Sequence, residues 1–215
     1  MASIPESPAQ ALDALLAGNQ RFVNGSPQHP NQDALRRAEL TPGQKPFAVL
    51  LGCSDSRLAA EIIFDQGLGD LFVVRTAGHV VGAEVLGSIE YGTSVLDCRL
   101  VVVLGHDSCG AVAAARAAVE DGVSAPGFVR DVVERVTPSV LAARAAGLDQ
   151  DSDLIDSHIR HTVDLLLDRS RVLAGQVASG RAAVVGLAYQ LAEGSARLVT
   201  ARGLVTGEPA GVGHG

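Results

Sequence analysis

The sequence predicts an α/β fold with a mainly parallel central β-sheet flanked by helices. Residues 47–51 and 100–104 are continuous apolar runs, the pattern of strands buried on both faces, and residues 71–74 form a third such run. Segments with helical periodicity lie between and after these runs, so strands and helices alternate along the chain, as in a parallel sheet. In folds of this class the functional residues gather beyond the carboxyl ends of the strands.

An N-terminal helical arm, at about residues 7–25, precedes the core. The pattern that begins this helix has Ser7 as the N-cap and Pro8 at the first helical position. The side chain of Gln10 is expected to reach back to the N-cap residue as the capping-box partner. An Asn-Gly pair at residues 24–25 ends the predicted helix. One face of this helix carries the apolar residues Leu12, Leu15, Leu16, Phe22 and Val23.

Four further helices are predicted in the core. They cover residues 84–96, the alanine-rich residues 109–120, residues 128–145 with an interruption at Pro138, and residues 152–173. The interruption is predicted because an internal proline lacks the N–H group that a helix needs at that position.

Residues 182–189 and 196–200 resemble two strands joined by a turn at residues 193–194, which predicts an antiparallel strand pair at the C-terminal end of the sheet. No repeat or low-complexity linker divides the chain. A chain of 215 residues falls within the range of one large domain. We therefore expect a single domain over residues 1–215, whose core spans about residues 45–202.

Composition and charge argue against several classes of function. The net charge of −7 and the scattered Lys and Arg residues disfavour a nucleic-acid-binding protein, which carries a basic surface. No apolar run approaches the ~18 residues of a membrane span, and the N-terminus lacks the basic and apolar regions of a signal peptide. We therefore expect a cytoplasmic protein. Aromatic residues make up only 3% of the chain, which predicts a small substrate.

Candidate metal ligands follow two of the predicted strands. Cys53 comes shortly after the first apolar run, and His106 and Cys109 follow the run at residues 100–104. If the two strands are neighbours in a parallel sheet, these side chains converge, and two thiolates with an imidazole suit zinc. Three ligands leave a fourth position open, as in catalytic sites. The alternative is that each cysteine is a small buried side chain and the histidine an ordinary core residue.

Asp55 and Arg57 lie close to Cys53 in the sequence. Asp55 can act as a fourth zinc ligand in a closed state, or it can accept a hydrogen bond from a metal-bound water, and Arg57 can hold its carboxylate in a bidentate pair. The alternative is a solvated pair in a turn. Cys98 precedes its strand, so we expect it to be a spare buried thiol at the opposite edge of the sheet.

The remaining histidines receive no role in this hypothesis. His158 and His161 lie three residues apart on a predicted helix, without a nearby acidic or thiol partner, and are expected to be solvated. His29, His79 and His214 carry no assignment. One of these histidines is a candidate proton shuttle, but no pattern in the sequence singles it out.

Two motifs carry a family resemblance. CSDSR at residues 53–57 and GHDSCGAV at residues 105–112 resemble the signature pair of the β-class carbonic anhydrases. Residues 64–78 and 86–92 are also similar to that family, and the resemblance covers about residues 10–200. The motif pair is specific to the family, although a few relatives with the same ligands hydrolyse carbonyl sulfide or carbon disulfide.

The resemblance implies that Cys53, His106 and Cys109 bind one zinc ion per chain, and that Asp55 with Arg57 orients a zinc-bound hydroxide. It also implies a substrate pocket at a dimer interface, formed by Gln44, Phe72 and Tyr91. The alternative for the two aromatic residues is ordinary core packing, and for the glutamine a loop amide.

The implied activity is the reversible hydration of CO2 to bicarbonate and a proton by attack of that hydroxide, in a homodimer or a dimer of dimers. Two thiolates donate more charge to zinc than imidazoles do, so we expect activity to favour alkaline pH. Closure of Asp55 onto the metal would lower activity below neutrality. Some members of the family have an inhibitory bicarbonate pocket that uses a Trp, and this chain has none.

Three other hypotheses stay open. The nearest is a carbonyl sulfide or carbon disulfide hydrolase on the same fold. The second is a non-catalytic zinc module, in which the metal only holds strands together and Asp55 stays bound to it at every pH. The third, a Cys53 nucleophile, is weaker because the sequence offers it no dedicated base.

Overall fold

The computed structural model describes residues 5–203, and their strands form one five-stranded sheet. The strand order is β2-β1-β3-β4-β5, in which the first four strands are parallel and β5 runs antiparallel to β4. The predicted fold class, including the antiparallel pair at the C-terminal end, is therefore confirmed. The strands are β1 (Ala48–Cys53), β2 (Leu71–Thr76), β3 (Leu100–His106), β4 (Ala183–Tyr189) and β5 (Ala196–Arg202).

Helices surround this sheet. Helix α4 packs against β1 and β2, α7 packs against β3, β4 and β5, and α1 contacts α3 and β3. Among the described residues, no helix is long and apolar enough to cross a membrane. The helices are α1 (Pro8–Val23), α2 (Ala34–Glu39), α3 (Ala60–Ile63), α4 (Ala83–Ser94), α5 (Gly110–Asp121), α6 (Val129–Ala145), α7 (Asp151–Arg169) and α8 (Arg171–Ala178), with a one-turn 3-10 helix at Ala77–His79.

The core lies along the three inner strands. Every residue of β1, β3 and β4 is buried, which explains why these strands read as unbroken apolar runs. In contrast, five of the six residues of β2 are only half-buried, because β2 is an edge strand that pairs with β1 alone within the described chain. The carboxyl ends of β1, β2 and β3 meet at one edge of the sheet, where the candidate ligands lie.

Two helix predictions are wrong. Helix α6 continues through Pro138, because the side chains of its buried face pack in the core and the exposed proline ring meets solvent. The predicted helix over residues 152–173 is two helices. It breaks at Ser170, whose backbone is extended (φ −100°, ψ 101°) and whose hydroxyl accepts a hydrogen bond from the backbone N–H of Leu173 at 3.0 Å.

Helix α1 begins as predicted, with the Ser7 hydroxyl accepting a hydrogen bond from the backbone N–H of Gln10. Leu12 and Leu15 are buried, whereas Val23, expected on the same face, is exposed. The single-domain prediction over residues 1–215 stays a prediction, since the first four residues and those after 203 lie outside the described part.

The buried side chain of Asn19 fastens α1 to the core. Its amide donates hydrogen bonds to the backbone carbonyls of Ile63 (3.1 Å) and Gly194 (2.8 Å). Its carbonyl oxygen accepts one from the backbone N–H of Ala196 at 2.8 Å. One side chain therefore joins the arm to α3 and to the turn between β4 and β5.

Candidate metal centre

The structure brings Cys53, His106 and Cys109 together. Cys53 is the last residue of β1, His106 is the last residue of β3, and Cys109 directly precedes α5. Because β1 and β3 are parallel neighbours, their carboxyl ends lie side by side. One potential ligand atom from each of the three buried residues lies within 4.8 Å of the other two, a spacing that one metal ion can bridge.

His106 offers one ring nitrogen to this cluster. Its Nδ1 lies 2.7 Å from the backbone carbonyl oxygen of Asp107, so Nδ1 carries the proton and donates. The other nitrogen, Nε2, is buried and has no hydrogen-bond partner among residues 5–203. A buried polar atom without a partner is costly, and a metal ion would satisfy its lone pair. The imidazole is thus arranged as a metal ligand is.

The two cysteine side chains influence each other's ionisation. The neighbouring Cys109 side chain, and to a lesser extent His106, lower the pKa of Cys53 far below its usual value, although burial opposes this. The Cys53 side chain and burial raise the pKa of Cys109. Negative charge therefore concentrates on a buried sulfur beside a free imidazole nitrogen, and this donor set suits a soft divalent ion such as zinc.

The end of β2 and the turn after it hold the Cys53 loop. The guanidinium of Arg75 donates to the backbone oxygens of Cys53 (2.9 Å, from Nε) and Asp55 (2.6 Å, from Nη2). The backbone N–H of Gly78 donates to the Cys53 sulfur at 3.3 Å. Sequence reasoning missed both residues. The only signal for Arg75 was a charge at the end of an apolar strand, and Gly78 had no signal beyond the family resemblance of its segment.

Asp55 and Arg57 form the pair that the sequence suggested. Nε of Arg57 donates to Oδ1 of Asp55 at 2.9 Å and Nη2 donates to Oδ2 at 2.7 Å, while the Arg57 backbone N–H also binds Oδ1. The Arg57 side chain is the main reason that the pKa of Asp55 lies well below its usual range. Asp55 is ionised, and among the described residues its oxygens are not part of the potential ligand cluster.

The residues predicted to form the pocket do not join the cluster within one chain. Phe72 pairs in register with Val49, four residues before Cys53, which at about 3.3 Å per residue puts it roughly 13 Å away along the sheet. The ring of Tyr91 lies 6.0 Å from that of Phe72, so the two aromatic residues do contact each other. Gln44 is exposed in the segment before β1.

The expectation that His158 is solvated is wrong. Its side chain is 2% exposed, with Nε2 at 2.8 Å from the carbonyl oxygen of Gly78 and Nδ1 at 2.9 Å from the Ser139 hydroxyl. The reason is that this face of α7 packs inward against α6 and β3. His161, three residues on, is half-buried.

Of the unassigned histidines, His79 is buried with its ring centroid 4.3 Å from that of His158, and His29 is exposed. His214 lies outside the described residues. Cys98 is the spare buried thiol that was expected: it lies two residues before the start of β3, and its Sγ donates to the Pro46 carbonyl at 3.3 Å. Burial raises its pKa to about 12, so it stays a neutral thiol.

Comparison with known proteins agrees with this geometry. Residues 48–196 match a family model described as carbonic anhydrase. The chain is 57% identical over 192 residues to carbonic anhydrase 2 of Mycobacterium tuberculosis, an alignment that covers 89% of this chain and 93% of the relative.

Solved structures also resemble it. The β-carbonic anhydrase CafA of Aspergillus fumigatus is similar with a TM-score of 0.66 and 27% identity, covering 87% of this chain and 89% of that one. A structure from a study of two tetrameric β-carbonic anhydrases of Sordaria macrospora has a TM-score of 0.65 at 22% identity, covering 88% of this chain and 94% of that one, and so shares the fold.

Proposed function

The chain belongs to the β-class carbonic anhydrases, and from that premise we propose that it uses one zinc ion to hydrate CO2 reversibly to bicarbonate and a proton. The observation that carries the proposal is the buried cluster of Cys53, His106 and Cys109, with the lone pair of His106 Nε2 directed to no other partner in the described chain.

The donor set favours zinc and an open coordination position. Two thiolates and a neutral imidazole balance the charge of a divalent ion, and three protein ligands leave a fourth position for the reaction. A zinc ion held there would lower the pKa of a water molecule and make it a nucleophile at moderately alkaline pH.

Asp55 is the residue that we propose orients this nucleophile. An ionised carboxylate only accepts hydrogen bonds, so Asp55 selects and aligns an O–H group beside the cluster. Arg57 holds both carboxylate oxygens and fixes the direction of that acceptor. We propose that the inactive state forms when the ion pair with Arg57 breaks. Asp55 can then turn toward the metal and occupy the fourth coordination position.

We further propose that a second copy of the chain completes the substrate pocket with its own Gln44, Phe72 and Tyr91. The apolar edge strand β2 supports this, since natural proteins cover or pair such edges and its side chains are only half-buried here. Tyr91 is 46% exposed beside it, a large aromatic surface that a partner would cover. We therefore propose a homodimer, or a homotetramer built as a dimer of dimers, and the tetrameric assembly of the Sordaria macrospora proteins is consistent with this proposal.

Two alternatives remain to be separated from this proposal. A carbonyl sulfide or carbon disulfide hydrolase would use the same ligands and differ in the access to the pocket. A non-catalytic zinc module would need Asp55 on the metal as a closed fourth ligand, and the bidentate pair of Asp55 with Arg57 argues against that.

The test combines metal content with stopped-flow CO2 hydration at about pH 8.5, where such a site is expected to be active. We expect one zinc per chain and fast hydration in the wild type, loss of both in Cys109→Ser, and no change in the matched control Cys98→Ser. Full zinc without CO2 hydration would favour the sulfur-substrate hydrolase or the structural module, which direct assay with carbonyl sulfide and carbon disulfide then distinguishes. A protein without zinc would contradict the proposal.

A further inference from the structure

His158 is a buried residue of α7 with both ring nitrogens engaged. A carbonyl oxygen can only accept, so Nε2 carries the proton and donates it to the Gly78 carbonyl. Nδ1 is therefore an acceptor, and the Ser139 hydroxyl donates to it. Burial lowers the pKa of His158 to about 4, which keeps the ring neutral in this tautomer. The ring of His79 packs beside it in a tilted arrangement, with the ring centroids 4.3 Å apart.

Gly78 has a backbone conformation that favours glycine. Its φ of 62° lies in the left-handed region, and a Cβ at this position would come within 2.6 Å of the Cβ of Ala111. From this position its N–H reaches the sulfur of Cys53 at 3.3 Å. One residue thus accepts a hydrogen bond from His158 and donates one to a candidate metal ligand.

We propose that His158 is a positioning residue for the metal centre: by holding the Gly78 carbonyl, it fixes the N–H group that hydrogen-bonds to the Cys53 sulfur, and so sets the charge that this thiolate donates to the metal. This inference rests on the proposed metal site and does not depend on which substrate the enzyme hydrates. Ser139 also has a role in this proposal, because the Ser139 hydroxyl fixes the tautomer and the orientation of the His158 ring.

The physical reason is that a hydrogen bond to a thiolate withdraws electron density from sulfur. Without the Gly78 N–H at its present position, the sulfur donates more charge to the metal and is less well oriented. Loss of outer contacts of this kind typically weakens metal binding by about 10- to 100-fold. A thiolate with more charge also absorbs at lower energy when it transfers an electron to cobalt, so the effect has a spectroscopic signature.

The test replaces zinc with Co(II) and records the thiolate-to-cobalt charge-transfer absorption, together with zinc retention against a chromophoric chelator. In His158→Leu we expect the band to shift to lower energy and zinc to be retained about 10- to 100-fold less tightly. His158→Gln should restore most of the wild-type band, because its side-chain N–H can reach the same carbonyl. The matched control is His161→Leu on the same helix, which should leave the band and the affinity unchanged.

Ser139→Ala keeps the inference testable if His158→Leu does not fold. It removes only the hydroxyl, and we expect a smaller band shift in the same direction. An unchanged band in folded, cobalt-loaded His158→Leu or Ser139→Ala would overturn the inference while leaving the proposed function intact. A shifted band in a protein that does not hydrate CO2 would overturn the proposed function and support the inference.

Discussion

Asp55 and Arg57 form a bidentate ion pair in which the two partners differ in exposure: the carboxylate side chain is 18% exposed and the guanidinium side chain 53%. The carboxylate is therefore the more buried member of the pair, whereas the guanidinium that holds it is open to solvent. Arg57 is the member of the pair that solvent, or a second copy of the chain, can reach first.

Substitution of Arg57 should reduce CO2 hydration more than it reduces metal content. Arg57→Lys keeps the charge but not the planar fork that binds both oxygens, so we expect a loss of about 100-fold from misplacement of Asp55. Stopped-flow kinetics with zinc analysis on the same samples would measure both effects. The control is Arg197→Ala. It removes the ion pair between Arg197 of β5 and Asp156 of α7 and should leave the rate unchanged. Equal rates for Arg57→Lys and the wild type would contradict the proposed role of Asp55.

Asp65 should make a pH-dependent contribution to the free energy of unfolding. Burial of the Asp65 carboxylate disfavours its charged form. Hydrogen bonds from the backbone N–H of Gln28, the Arg21 side chain and the backbone N–H of His29 favour the charged form more strongly, so the pKa of Asp65 is lowered. Because the folded pKa lies below the unfolded value of about 3.9, the stabilisation is fully present above that pH and is lost as the pH falls toward the folded pKa.

We therefore expect Asp65→Asn to destabilise the protein by about 1–3 kcal/mol at pH 7 and by less at about pH 3, measured by urea unfolding. Asp97→Asn is the control, since its side chain is 76% exposed in a long ion pair with Arg99. A penalty for Asp65→Asn that does not shrink at low pH would show that the charge of Asp65 does not stabilise the fold.

Mixed dimers test whether the substrate pocket crosses between copies of the chain. Cys53→Ser has no metal centre and Tyr91→Ala has a damaged pocket, so each variant alone should be slow. In a mixed dimer, the metal centre of the Tyr91→Ala chain meets the intact tyrosine of the other chain, and we expect up to half of the wild-type activity to return. Mixing Cys53→Ser with Cys109→Ser should restore nothing. If the Tyr91→Ala mixture also stays slow, the pocket belongs to one chain.

A charge on the free edge of β2 should prevent assembly. Val73 is half-buried on this strand, and we expect Val73→Lys to yield monomers with greatly reduced hydration, as measured by analytical ultracentrifugation and stopped flow. Leu198→Lys places the same charge on β5, at the other edge of the sheet, and should leave at least the dimer intact. A dimeric Val73→Lys protein would place the interface elsewhere.

The sequence predicted the sheet well because its inner strands are buried on both faces and leave unbroken apolar runs such as the one at residues 100–104. The same runs located the ligand candidates, since Cys53 is the last residue of β1 and His106 is the last residue of β3. The break at Ser170 had a local signal that was missed, namely a serine that caps the next helix.

Other features had no local signal. The hydrogen bond from His158 to Gly78 joins residues 80 positions apart, and the lack of an acidic or thiol partner near His158 in the sequence suggested a solvated side chain. The contacts of Arg75 are also distant in the sequence, since Cys53 at the end of β1 and Asp55 in the loop after it lie 22 and 20 residues earlier. Such contacts depend on the assembled sheet, so only the structure reveals them.

The amide of Asn19 has a consequence for how the chain is made. Two of its three partners, Gly194 and Ala196, lie 175 and 177 residues further on. During synthesis, the side-chain amide of Asn19 cannot complete its hydrogen bonds until the turn before β5 and the start of β5 have been made. Docking of α1 onto the turn before β5 is therefore a late event in folding, although α1 can already contact α3 and β3 earlier.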